Sequence, residues 1–119
     1  MRPQRAYLVH FACFRCRRSF KRGVDYQGND HAKVCPHCGG RAIDLGRHFK
    51  APKVADVDQW KKVRYLVAAG FFFQHVHDDD SRQVPYPKTL KEAQEFVSRY
   101  RSRAWKDRLP EALEILSEV

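Results

Sequence analysis

The 119-residue sequence predicts an α+β fold, with an N-terminal antiparallel ribbon packed against a C-terminal helix-strand-helix unit. Three observations carry that expectation. Two cysteine pairs, Cys13-Phe14-Arg15-Cys16 and Cys35-Pro36-His37-Cys38, use every cysteine in the chain, and a run rich in aromatic and branched residues leads into the first. Beyond residue 56, apolar side chains recur at helical spacing instead. Between the two halves stands Lys50-Ala51-Pro52-Lys53, where the proline biases Ala51 away from helix. The expected units are therefore residues 1–50 and 51–119, packed together as one domain.

In the first unit, residues 5–12 read as a strand, with Tyr7, Val9 and Phe11 on one face and Ala6, Leu8 and His10 on the other. The Gly, Asn and Asp of residues 25–30 mark a turn, so strand, turn, strand is the expected path from the first cysteine pair to the second. Pro36 fixes the backbone inside the second pair, and Gly39-Gly40 let it turn tightly. Residues 41–49 are expected to add a strand with Ile43 and Leu45 facing inward.

In the second unit, Asp56 followed by Gln59 resembles a capping box and opens a helix from Val57 to Ala69. Its stripe is Val57, Trp60, Val63, Leu66 and Val67, and Gly70 supplies the stop. Phe71 to His77 reads as a strand buried on both faces, for which the ribbon is the nearest pairing partner. Asp78 to Ser81 form a solvated turn, followed by an extended Val84-Pro85-Tyr86-Pro87. Thr89 and Glu92 make a second capping box, opening a helix from Leu90 to Trp105 with Leu90, Ala93, Phe96, Val97, Tyr100 and Ala104 on its stripe. Pro110 suits the first turn of a last helix, Glu111 to Glu118, burying Leu113 and Leu116.

A unit of about 50 residues needs a staple, because so short a chain buries too little apolar surface to hold itself. The cysteines supply one. Met-Arg-Pro-Gln-Arg at the start lacks the apolar core of a secretory signal, which favours metal over disulfide and a cytoplasmic location. No apolar run reaches membrane-spanning length, the best being Leu66 to Phe73.

Two C-x-x-C elements separated by residues 17–34 match the spacing of a four-cysteine zinc site. Cys13, Cys16, Cys35 and Cys38 are thus the expected ligands of one structural Zn²⁺, their sulfurs about 2.3 Å from the metal. Four protein ligands leave no open position for water or substrate, so this metal would hold the fold and do no chemistry. Iron in a rubredoxin-like site suits four thiolates equally well. A redox reading of the cysteines would need a βαβ context and only one pair.

With basic and aromatic neighbours, an eighteen-residue excursion and then Cys35-Pro36-His37-Cys38-Gly39-Gly40, residues 5–48 resemble the zinc-ribbon superfamily. That resemblance implies a role in nucleic-acid or protein binding, because zinc ribbons commonly serve nucleic-acid enzymes, ribosomal proteins and transcription factors. Residues 50–119 resemble only small bacterial proteins without an assigned activity, which adds no mechanism.

Charge gives the resemblance a direction. Residues 1–55 hold twelve Lys/Arg against Asp25, Asp30 and Asp44, whereas the rest holds eleven of each sign, so the whole +9 sits with the cysteines. Four thiolates on Zn²⁺ carry −2 and trim this to about +7. Arg15, Arg17, Arg18, Lys21, Arg22, Arg47 and Lys50, interleaved with Phe14, Phe20 and Phe49, are the expected nucleic-acid contacts: cations release counterions from phosphate, and exposed aromatics stack on bases. The competing reading packs Phe14 and Phe20 into the ribbon's own small core and leaves the cations as a solvated surface. A protein adaptor meeting an acidic partner is the alternative function.

His75 and His77, followed by Asp78-Asp79-Asp80, alternate as metal ligands can, but Phe71 and Phe73 would share their strand face. His31 and His37 are not needed beside four cysteines. Trp60 and Trp105 can each cap the core or anchor a partner. No nucleophile elbow, phosphate loop or dinucleotide fingerprint is present, and no small-molecule substrate is evident. The sequence therefore predicts a binding protein and not an enzyme.

Overall fold

The computed structural model describes residues 7–24 and 32–119. Four strands, β1 (Tyr7–Cys13), β2 (Arg18–Val24), β3 (Ala32–Val34) and β4 (Arg41–Asp44), form one antiparallel sheet in the order β2-β1-β4-β3. Helix α1 (Val57–Ala68), a short hairpin of β5 (Val76–His77) and β6 (Gln83–Val84), helix α2 (Leu90–Arg99), a 3-10 turn (Arg101–Arg103) and helix α3 (Leu109–Ser117) follow. The α+β class and its layout are as the sequence predicts.

Each cysteine pair sits at the turn of a hairpin. β1 pairs with β2 from Tyr7↔Val24 to Cys13↔Arg18, and β3 pairs with β4 from Ala32↔Ile43 to Val34↔Arg41. Pairing of β1 with β4 through Phe11↔Asp44 and Ala12↔Ile43 then brings the two hairpins together. The ladder outlasts β4, since Leu45 N–H donates to the His10 carbonyl (2.8 Å) and His10 N–H to that of Gly46 (2.8 Å). β2 leads out from the first cysteine pair and β3 returns to the second, as the strand-turn-strand path expects, and the two lie on opposite edges of the sheet. The Gly-Asn-Asp turn of residues 25–30 and the start of the first strand at 5–6 lie outside the described residues.

Strand alternation splits the sheet into two faces. Val9, Phe11, Cys13 and Ala42 pack with Cys35 in a small cluster beside the cysteines, and Phe20 covers Phe11 with its ring stacked at 5.7 Å. On the other face Ala12, Ile43 and Leu45 join Phe14 and Phe49 against Trp60, Val63 and Val67 of α1 and Ala112, Ile115 and Leu116 of α3. This second cluster draws on both halves of the chain. A third is built from Leu66, Phe71, Val76, Ala93 and Phe96, where α1 meets α2.

Helix starts follow the predicted caps. Asp56 accepts from the Gln59 N–H at 3.3 Å, and Thr89 from that of Glu92 at 3.1 Å. Gly70 ends α1 with φ +94°, where a Cβ would stand 2.9 Å from that of Ala104. Val57 and Leu90, at the heads of the two predicted stripes, are exposed.

Four expectations need correction. Phe71 to Gln74 bury as predicted, apart from the half-buried Phe73, but the segment is not a strand, and only Val76–His77 pairs, with its own neighbour Gln83–Val84 and not with the ribbon. The buried Gln74 takes over the backbone here: its Oε1 accepts from Phe72 N–H (2.6 Å), its Nε2 donates to the Gly70 carbonyl (3.2 Å), and Phe73 adopts φ 62°. Helix α2 stops at Arg99 and not Trp105, because the chain turns back so that Trp105 N–H reaches the Gly70 carbonyl at 2.8 Å. Ile43 and Leu45 are buried as expected, yet β4 itself closes at Asp44, whose Oδ1 accepts from Gly46 N–H at 2.8 Å and bends the chain away. Finally, α3 begins two residues early, at Leu109, and buries Ala112, Ile115 and Leu116 while Leu113 stays exposed.

Candidate metal centre and basic surface

Cys13 closes β1 and Cys16 ends the tight turn before β2, with Arg17 in the left-handed region at φ 55°. In the second turn Cys35 N–H donates to the Gly40 carbonyl (2.7 Å) and Gly39 N–H to that of Cys35 (2.9 Å), with Gly39 at φ 77°. Pairing of β1 with β4 sets one turn against the other. The four sulfurs lie within 4.8 Å of one another, and Cys13 Sγ stands 3.6 Å from Cys38 Sγ. A tetrahedron with metal–sulfur bonds of about 2.3 Å has edges of about 3.8 Å. The separation is far too long for a disulfide of about 2.05 Å, and all four thiols are free. These residues can hold a metal ion.

Backbone N–H groups are already aimed at the sulfurs. Gly40 donates to Cys38 Sγ at 3.3 Å and holds that thiol down to about 7, while burial and the neighbouring sulfurs push Cys16 up to about 12. Burial also pushes Cys13 up, against the Cys16 and Arg15 N–H groups. Thiols crowded together in this way share protons until a cation replaces them, and each fixed N–H then offsets part of the thiolate charge. Cys13 and Cys35 are buried, Cys16 is half-buried and Cys38 is exposed, so the centre lies at the surface of the sheet. Among the described residues this is the only group of three or more potential metal ligands. His75 stacks on His48 instead (centroids 5.6 Å apart), His77 of β5 pairs with Gln83 of β6, and the Asp run forms the β5–β6 turn, where Asp78 Oδ1 accepts from Asp80 and Arg82 N–H. His37 is exposed, and His31 lies outside the described residues.

The sequence-predicted cations are distributed as follows. Arg15 is exposed in the first turn and reaches across to the second, its Cδ 3.8 Å from where a Gly40 side chain would begin. Arg17 is partly buried and donates from Nε to the Val54 carbonyl at 3.0 Å. Arg18 stands opposite Cys13, Lys21 opposite His10 and Arg22 opposite Val9, all exposed along the edge strand β2. Alternation puts Arg18 and Arg22 on the cysteine side, with the Arg22 guanidinium 4.9 Å from the centre of the Phe20 ring. Arg47 and Lys50, both exposed, follow β4 beyond its pairing with His10, at the end of the sheet away from the cysteines. The fold thus gathers Arg15, Arg17, Arg18, Lys21 and Arg22 along one hairpin and sets Arg47 and Lys50 apart.

The aromatics do not join them. Phe14 is buried with its ring edge-on to Trp60 at 5.8 Å, Phe20 lies on Phe11, and Phe49 is buried. Trp60 caps the core and donates its indole N–H to the Lys53 carbonyl at 3.1 Å, whereas Trp105 is 46% exposed over Phe72. Sequence reading counts Arg41 with the cations after the second pair but misses its partners: it leaves the second turn to bind Glu114 of α3 and Glu118 just beyond its end. A lone Arg beside two glycines gives no signal of a partner more than seventy residues away.

The fold and site define an α+β protein with a four-cysteine centre at the junction of two hairpins. No protein-family model, no curated protein and no solved structure matches the chain. Among the described residues no helix is long and apolar enough to cross a membrane.

Proposed function

We propose that this chain is a zinc-ribbon protein that binds RNA or DNA without sequence preference, and is not an enzyme. One Zn²⁺ on Cys13, Cys16, Cys35 and Cys38 fixes the two hairpins, and a closed four-thiolate shell leaves the metal no reacting position. The observation that carries the binding function is the charge imbalance: the whole +9 belongs to residues 1–55. Arg15, Arg18 and Lys21 are exposed there with no carboxylate at ion-pair distance among the described residues. Phosphate is the partner such a surface fits best. Because the neighbouring aromatics are packed inward, affinity rests on Arg15, Arg17, Arg18, Lys21 and Arg22 along the hairpin, with Arg47 and Lys50 at the far end of the sheet, and not on base stacking.

The test is a titration of zinc-loaded protein with single- and double-stranded RNA and DNA across ionic strengths. Binding should weaken by about 0.9 log units per tenfold rise in salt for each duplex phosphate neutralised. Absence of salt-sensitive binding at low ionic strength would sink the idea. The same inward packing of Phe14 and Phe20 favours a second reading, an adaptor whose basic edge meets an acidic protein. A single dominant protein captured after nuclease treatment would select it.

A further inference from the structure

Away from the cysteines, a cleft of about 570 Å³ opens between the segment after β4, the first turns of α1, the 73–75 loop and the stretch from β6 to α2. That volume lies within the range of small-molecule sites. Five of its lining residues are basic, His48, Lys50, Lys62, His75 and Lys88, and none is acidic. The three lysines come from three separate segments, the stretch after β4, α1 and the stretch before α2, so the fold itself brings them to one cleft.

Lys50 and Lys88 are exposed and Lys62 is half-buried, so three ammonium groups line one cleft. Among the described residues no carboxylate lies at ion-pair distance from Lys50, Lys62 or Lys88. Asp56 and Glu92 act on Lys62 from farther away, and each is already engaged as a helix cap, Asp56 with Gln59 N–H and Glu92 with Lys88 N–H. Lys62 is half-buried and its pKa is pushed down by that burial. Its ammonium is also positioned: Nζ donates to Gln59 Oε1 at 2.7 Å, and Gln59 Nε2 donates to the Lys88 carbonyl at 2.7 Å. Two of its three N–H donors remain for a ligand.

The floor and one wall are aromatic. Phe73 stacks on Tyr86 at 4.7 Å, and Tyr86 is tethered through its hydroxyl to the Gln74 carbonyl at 2.6 Å. Phe73 holds φ 62°, uncommon for a bulky side chain, and such strain concentrates at ligand sites. At the rim the exposed His48 and His75 rings stack on each other, offering a flat face to a base.

We propose that this cleft binds a nucleoside phosphate, either as a free nucleotide or as one nucleotide of a single strand, with Lys50, Lys62 and Lys88 on the phosphate and the His48–His75 pair beside the base. This site shares only Lys50 with the nucleic-acid surface proposed above; it is distinct from the β2 edge and does not depend on binding there.

The imidazole resonances of His48 and His75 in the zinc-loaded full chain report on it. Inorganic pyrophosphate, AMP and a single-stranded oligonucleotide are each titrated to about 10 mM, a ceiling set for millimolar affinity. Binding should be saturable and about tenfold weaker in Lys62→Gln. Lys50→Gln/Lys88→Gln, which changes only exposed side chains, should weaken it likewise, while Arg18→Gln/Arg22→Gln leaves it unchanged. A response to AMP, with this variant pattern, identifies free nucleotide; a response to the oligonucleotide alone, with the same pattern, identifies a strand; a response to pyrophosphate without one to AMP or the oligonucleotide shows an anion site that takes no base and overturns the nucleoside assignment. No saturable response to any probe overturns the proposal, as does one that the cleft variants leave intact or that the β2-edge variants weaken equally.

Discussion

Arg41 binds Glu118 across 77 residues of sequence, its Nε donating to Oε2 at 3.2 Å while its NH2 also reaches Glu114 at 3.1 Å. Arg41 directly follows Gly40, whose N–H is bonded to the Cys38 sulfur. The second cysteine turn and the last helix are therefore linked by one side chain. The Arg41 hydrogen bond holds the Glu118 carboxyl below its ordinary pKa of 4.5. A carboxyl depressed on folding contributes stability above its unfolded pKa, and that contribution is lost as pH falls through the folded value. Arg41→Gln should thus lower Tm at neutral pH and speed amide exchange in α3, with the difference from wild type shrinking once pH drops below about 4.5. A difference that is constant with pH would mean that Arg41 acts through packing alone.

Removing a cysteine should be more drastic. In a module this small, metal-binding free energy is largely folding free energy. Cys16→Ala or Cys38→Ala is expected to abolish stoichiometric zinc binding and collapse the amide dispersion of β1 to β4, as a strong chelator should in the wild type. If the sheet keeps native dispersion without metal, the structural role assigned to the ion is wrong.

What the sequence revealed and what it hid divide by the range of the interaction. Asp56, Thr89 and Gly70 act within one turn of backbone, and each does what its residue type predicts. The cysteine spacing was equally legible, because ligand number and loop length are local properties. Non-local pairing was not. Nothing in residues 17–34 distinguishes two strands that pair with each other from two that seek opposite edges of a sheet. Three phenylalanines from Phe71 point to burial, which Phe71 and Phe72 show and Phe73 shows in part, but a strand and a loop bury such residues equally well. Here Gln74 decides, with an amide that replaces the missing ladder bonds. The basic cleft was invisible for the same reason: Lys50, Lys62 and Lys88 have no spacing that marks them as neighbours.

Phe14 ties the first cysteine turn to α1 through its edge-on contact with Trp60. Truncating a buried phenylalanine leaves a cavity as well as losing transfer energy, so Phe14→Ala should cost about 3 kcal/mol. Chemical denaturation measures that loss, and Trp60 fluorescence should shift red in the native baseline as water reaches the ring. Phe14→Leu, which keeps most of the volume, should lose less than half as much. An unaffected stability would show that the turn does not depend on its helix.

Gly70 offers the sharpest test of how the C-terminal half closes. It ends α1 at φ +94°, its carbonyl accepts from Trp105 N–H at 2.8 Å, and a Cβ there would lie 2.9 Å from the Cβ of Ala104. Gly70→Ala incurs two separate penalties. The left-handed backbone alone costs about 1–2 kcal/mol for a residue with a side chain. The clash with Ala104 then pushes the 100–105 segment away, lengthening the Trp105 bond and loosening Gln74, whose amide holds the same carbonyl. Combining Gly70→Ala with Ala104→Gly removes the clash but not the backbone penalty, so the double variant should recover only part of the lost stability. Equal stability of single and double variants would place the whole cost in the backbone and leave the close approach of Ala104 without energetic consequence.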